Sequence, residues 1–109
     1  MRDTSELSTA VERFADRLRA APQSRLQQSA AAEGLALARE LSVRAQRAEA
    51  PDREPRTLPD AGLFAVGDQL AVAGNDLAEI LRTAPAASHQ GELDEAVRLV
   101  REAAERSGL

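Results

Sequence analysis

Between Leu63 and Ala84 the apolar residues return at alternating steps of three and four: Leu63, Val66, Leu70, Ala73, Leu77, Ile80 and Ala84. That rhythm matches 3.6 residues per turn and predicts the seam of a long amphipathic helix. Gly67 and Gly74 sit beside the seam, with Ala71 and Ala78 between and after them. Side chains this small let a second backbone come close. The surface predicted for helix packing or for an interface is therefore Leu63, Val66, Gly67, Leu70, Ala71, Gly74, Leu77, Ala78 and Leu81. Whatever the rest of the chain does, something must lie against this surface: a helix of the same chain, a helix of a second copy, or a ligand.

The remainder of the sequence has the same character. Ala is the commonest residue, at 23 of 109, and there are only two aromatics, Phe14 and Phe64. With much Ala, Leu, Glu and Arg and few β-branched residues, local propensity is strongly helical. A first helix is predicted from about Ser5 to Ala21, on the stripe Leu7, Val11, Phe14, Leu18 and Ala21. Asp3 and Glu6 have capping-box spacing at its start, and Pro22 ends it or opens the next. A second helix is predicted from Gln23 or Ser24 to Glu49, on Leu26, Ala30, Leu37, Leu41, Ala45 and Ala48. Gly34 falls on that stripe, where it costs up to about 1 kcal/mol against Ala, so a close contact or a kink should account for it. The third helix is expected to start with Asp60 as N-cap and to stop near Thr83, before Pro85. An irregular first turn, with the regular helix from Asp68, is the variant that Gly62 and Gly67 suggest. The fourth should begin between Ser88 and Glu92 and end at Gly108, a residue suited to the C′ position. Its apolar face is Leu93, Val97, Val100 and Ala104, flanked by Ala96, Leu99 and Ala103.

Pro51, Pro55 and Pro59 are spaced by four, with Asp52, Arg53, Glu54 and Arg56 between them. Prolines at that density forbid a regular helix and favour an extended path. The segment 51–59 is long for a turn between antiparallel neighbours. It divides the chain into two helical hairpins, about 4–50 and about 60–108, within one domain. The expected fold class is all-α: a four-helix antiparallel bundle built from two helical hairpins, with completion or extension by dimerisation as a variant. Helices of roughly 17 to 27 residues would be about 25–40 Å long, which suits a bundle.

Composition limits the chemistry. No Cys is present, which excludes disulfides, thiol nucleophiles and thiolate metal sites. The polar start Met1-Arg2-Asp3-Thr4-Ser5-Glu6 has no apolar h-region, and no apolar run reaches the roughly 20 residues of a membrane span. A cytoplasmic location and no membrane partner are the expectation. All 14 basic residues are Arg and none is Lys, which fits a GC-rich bacterial genome. Net charge is −4, and it is uneven: residues 1–59 carry ten Arg against nine acids, residues 60–109 four Arg against nine acids. A nucleic-acid binder concentrates positive charge on one face, with aromatics where it stacks on single strands; neither pattern is here, so no nucleic-acid partner is expected.

The carboxylates of the fourth helix are the most catalytic-looking group. Glu92-x-x-Glu95 and Glu102-x-x-Glu105 resemble, in spacing, the paired motifs by which all-α nucleotide pyrophosphatases hold Mg²⁺. On a helix, however, Asp94, Glu95, Glu102 and Glu105 fall opposite the apolar stripe and interleave with Arg98, Arg101 and Arg106. Pairs such as Asp94–Arg98, Arg98–Glu102 and Arg101–Glu105 are i,i+4 neighbours worth a few tenths of a kcal/mol each, so a solvated, salt-bridged face explains them. His89 is the only histidine and has no nucleophile or orienting partner near it in sequence. A Walker A loop needs Lys before Ser or Thr, and the chain has no Lys.

The inventory leaves no catalytic residue, no metal site and no cofactor to assign. The expected function is a non-enzymatic helical protein-interaction or small regulatory domain, self-associating or binding a protein partner. Off-stripe apolar residues (Leu35, Val43, Phe64 and Val72) favour the homo-oligomer. The alternatives are a small-molecule-binding bundle with a pocket near Phe14, Phe64, Gly67 and Gly74, and, last, a metal-dependent phosphohydrolase-like enzyme using the fourth helix's carboxylates.

Overall fold

The computed structural model describes residues 3–83 and 90–109. Among these residues there are four helices and no strand, and the chain forms an all-α four-helix bundle measuring 43 × 27 × 17 Å. The first helix, α1, is Ser5–Ala20. Asp3 Oδ1 accepts hydrogen bonds from the Ser5 N–H (2.9 Å) and the Ser5 hydroxyl (2.6 Å) at its start. Glu6 takes no part in that cap and pairs with Arg101 instead.

The second helix, α2, is one rod in three parts: Gln23–Arg25, a π turn Leu26–Ala30, and Ala31–Glu49. In the π turn the Ala31 N–H reaches back five residues to the Leu26 carbonyl. The buried stripe here takes two successive steps of four, Leu26–Ala30–Gly34, and a regular helix would drift off the core over such a run. The wider turn takes up that drift. The irregularity therefore lies before Gly34, not at it. Gly34 is explained by close approach: a Cβ there would stand 2.7 Å from Val66 Cγ1 and 2.9 Å from Leu18 Cδ1.

The third helix, α3, is Val66–Thr83, preceded by a 3₁₀ turn Leu63–Ala65. The expected start at Asp60 is corrected by the backbone. Gly62 has φ 97°, a left-handed conformation that no helix can pass through. The Asp60 carboxylate instead accepts a hydrogen bond from the Gly62 N–H at 2.9 Å, which shapes the turn before the helix. The fourth helix, α4, is Gln90–Ser107, and Gly108 follows at φ 73° as the left-handed cap. Its carbonyl accepts from Arg25 Nη2 at 2.5 Å, so α2 covers the end of α4. The expected break at 84–89, with His89, lies outside the described residues.

The cross-helix contacts fix the directions. Val11 against Gly74 and Arg19 against Asp68 make α1 and α3 antiparallel. Arg44–Glu92 at 2.8 Å and Arg106–Glu33 at 3.0 Å make α2 and α4 antiparallel. Glu6–Arg101 at one end and the approach of Arg17 to Gly108 and Leu109 at the other make α1 and α4 parallel. Gly34 on Val66, and Ser42 and Ala45 beside Asp76 and Ile80, make α2 and α3 parallel. The order is up, down, down, up. The two helices of each hairpin, α1 with α2 and α3 with α4, lie across the diagonals, while α3 and α4 each pack between α1 and α2. The hairpins of the connectivity are thus interleaved in the packing.

Parallel neighbours need a long return, and residues 51–62 supply it. This strap runs back along α2. The Gln46 side chain binds Arg56 both ways, accepting from its N–H and donating to its carbonyl, each at 2.8 Å. Arg39 Nε donates to the Leu58 carbonyl at 2.8 Å, and Gln69 Nε2 to the Pro59 carbonyl at 2.9 Å. Side chains thus satisfy an extended backbone that has no helix or sheet to satisfy it, and Leu58 packs half-buried on the core.

Candidate functional site

The seam that opened the sequence reading lies inside the bundle. Val66, Gly67, Leu70, Ala71, Gly74, Leu77, Ala78 and Leu81 are buried, and Leu63 is half-buried in the 3₁₀ turn. Ile80, placed on the same stripe, is only half-buried, while the small residues beside the stripe are covered. The covering element is α1 of the same chain. A Cβ on Gly67 would lie 3.0 Å from the Ala15 carbonyl oxygen and 2.9 Å from Arg19 Cγ. A Cβ on Gly74 would lie 2.5 Å from Val11 Cγ1. Arg19 Nε, donating to Asp68 at 2.9 Å, closes the edge of this seam. The space next to both glycines is filled, and Phe64, the third residue of the pocket imagined there, is 71% exposed. Phe14, the fourth, is 1% exposed and turns toward α4 instead.

Three of the α4 carboxylates meet arginines, whereas among the described residues the expected Asp94–Arg98 and Arg101–Glu105 pairs do not form: Asp94 accepts from Gln90 Nε2 and Arg101 pairs with Glu6. Glu92 accepts from Arg44 at 2.8 Å, Glu95 from Arg98 at 2.6 Å, and Glu102 pairs with Arg98 and Arg106. The hydrogen bond from Arg98 holds the Glu95 carboxyl below the usual glutamate value, and the two glutamates raise the Arg98 guanidinium. Burial works against the Arg44 charge, but its hydrogen bonds to Glu92 and Glu40 outweigh that and raise it. Among the described residues no three carboxylate or histidine side chains are grouped as a metal site would need, and no helix is long and apolar enough to cross a membrane.

A broad concave feature lies elsewhere among the described residues, between α1 and α4. A groove of about 770 Å³ runs from Ser5 and Glu6 to Gly108 and Leu109. Its floor is small or apolar: Ala10, Phe14, Val100 and Ala104. Its walls are Arg13 and Arg17 on α1 and Arg101 and Glu105 on α4. The groove exists because α1 and α4 meet through alanines at the bottom while their long side chains stand up at the rim. Glu6 and Arg101 bridge it at one end, 3.0 Å apart and both well exposed, a pair worth little in water. Arg13 and Arg17 make no ion pair among the described residues. Sequence reasoning named Phe14, Val100 and Ala104 as core but did not find this groove. The signal was available in the α1 face Glu6, Ala10, Arg13, Arg17, a polar arc interrupted by one alanine.

No family model, curated protein or solved structure matches this chain.

Proposed function

We propose that this chain is a cytoplasmic, non-enzymatic helical interaction domain that works by binding protein, in the first place by associating with itself. The observation that carries this reading is the α1–α4 groove: an open, elongated surface with an apolar floor and, at its wall, Arg13 and Arg17, which make no ion pair among the described residues. Such a surface suits another helix face better than a small molecule, which needs to be largely enclosed. The packing elsewhere supports the same choice. The apolar face of α3 is packed within the chain, and three of the four carboxylates that resembled a metal-binding set are engaged by arginines. The test is the oligomeric state over concentration, by light scattering and sedimentation equilibrium. A reversible monomer–dimer equilibrium is expected; a strict monomer at every concentration would rule out self-association.

A further inference from the structure

The charges along the groove are ordered. Along α1 the groove is lined by Glu6, then Ala10, then Arg13 and Arg17. At 100° per residue Glu6, Ala10, Arg13 and Arg17 fall within about one sixth of the helix circumference. The stripe is acidic at its start, small in the middle and basic at its end. A stripe of this kind is complementary to itself when reversed. We propose that two copies of this chain pair face to face through α1 and α4, resting on the self-association argued above. The two-fold axis crosses α1 between Ala10 and Arg13, so the two α1 helices run antiparallel.

In that arrangement Glu6 of each copy faces Arg17 of the other, and Ala10 lies at the centre, where the helices must come closest. Arg13 reaches across the groove toward Glu105 of the other copy. The interface is isologous, the same patch used twice, and it closes at two subunits. The exposed Glu6–Arg101 pair within each chain competes only weakly for Glu6, being open to water on both sides. The helix dipole also favours acids at the start of α1 and bases at its end. It does not require them on one face, and Arg19, which answers the dipole equally, points to the α3 seam instead.

The exposed face of α3 fits a second copy less well. Val72, 62% exposed on α3, stands among Asp68, Asp76 and Glu79. Reversed upon itself that face sets acid against acid, and like charges across an interface cost binding.

Charge reversal tests the proposal. Glu6→Arg and Arg17→Glu should each weaken the dimer by about tenfold or more, because each sets like charges against each other twice. Mixed in equal amounts, the two variants should form a heterodimer near wild-type strength, since both cross-pairs then become attractive. Ala10→Arg, which fills the centre, should also give monomer, and circular dichroism should show all three variants folded. A wild-type protein that stays monomeric to about 1 mM would overturn self-association itself. A wild-type dimer untouched by all three substitutions would overturn the α1–α4 face and leave self-association standing. Single variants that dissociate, with a mixture that stays monomeric, would overturn the antiparallel register.

Discussion

Helix α1 has two neighbours and treats them differently. Against α3 it packs closely: Gly67 sits under the Ala15 carbonyl and Gly74 under the Val11 side chain, with no room for a methyl group. Against α4 it leaves a groove of about 770 Å³. Both seams use small residues, so size alone does not distinguish them. What differs is the flank. Beside Gly67 and Gly74 stand Leu70 and Leu77, which are fully buried and fill the space around each glycine contact. Beside Ala10 and Ala104 stand Arg13, Arg17, Arg101 and Glu105, whose charged ends must stay in water and so hold the rim open. A small residue among leucines makes a tight joint; a small residue among arginines makes a recess.

The strongest way to break that contrast is Gly74→Leu. Its Cβ would meet all three of the Val11 Cβ, Cγ1 and Cγ2 at 2.5 to 3.1 Å. Overpacking a closed seam costs about 1–3 kcal/mol, and a leucine on this site should fall at about 3 kcal/mol in urea denaturation. Val11→Ala in the same chain should recover part of the loss. A neutral Gly74→Leu would mean that the α1–α3 seam is as open as the groove.

Gly62→Ala asks how the tight seam is brought into register. Nothing stands within 4 Å of the site, so the change costs no contact. The cost is conformational, about 1–2 kcal/mol for holding a residue with a Cβ at φ 97°. Gly62 sets where α3 starts and hence which residue of α3 meets Ala15. A loss of stability together with altered hydrogen exchange at 66–70 is the expected result, and an unchanged protein would show that the strap does not set the register.

Helix α3 is legible in the sequence and the recess is not, for a physical reason. Periodicity reports which residues seek burial, so the four helices, the Pro-rich return and the Gly108 cap were legible in the leucines, alanines and glycines themselves. It does not report which helix covers which. Interleaved packing rests on the strap 51–62, whose Gln46, Arg39 and Gln69 contacts join residues 10 to 19 apart. Asp60 read as an N-cap because its side chain does accept a backbone N–H; the N–H belongs to Gly62 in a turn. The recess depends on the separation of α1 and α4, a tertiary quantity that neither helix encodes alone.

Ala10→Leu is the counterpart of Gly74→Leu: one larger side chain, placed on the open seam. Measured dilute, where the chain is monomeric, it should change stability by less than about 0.5 kcal/mol, as a surface substitution does. A cost comparable with that of Gly74→Leu would erase the distinction between the two seams.

The smallest effect separates charges that join helices from charges that decorate one. Glu79 and Glu95 are held below the usual glutamate value of 4.5 by hydrogen bonds from Arg82 and Arg98, each within its own helix. A carboxyl whose folded value is depressed stabilises the fold above 4.5, and the contribution is lost as the pH falls through 4.5 toward the lower folded value. Glu79 is exposed and Glu95 half-exposed, so the loss should be slight and should shrink further in salt. The double variant Glu79→Gln, Glu95→Gln should therefore show a marginally flatter melting temperature between pH 6 and pH 3 than the parent. Glu92→Gln, which removes the bond from α4 to Arg44 on α2, should lower the melting temperature at pH 7 more than the double variant does. Reversal of that order would place the electrostatic contribution within the helices and leave the seams to packing alone.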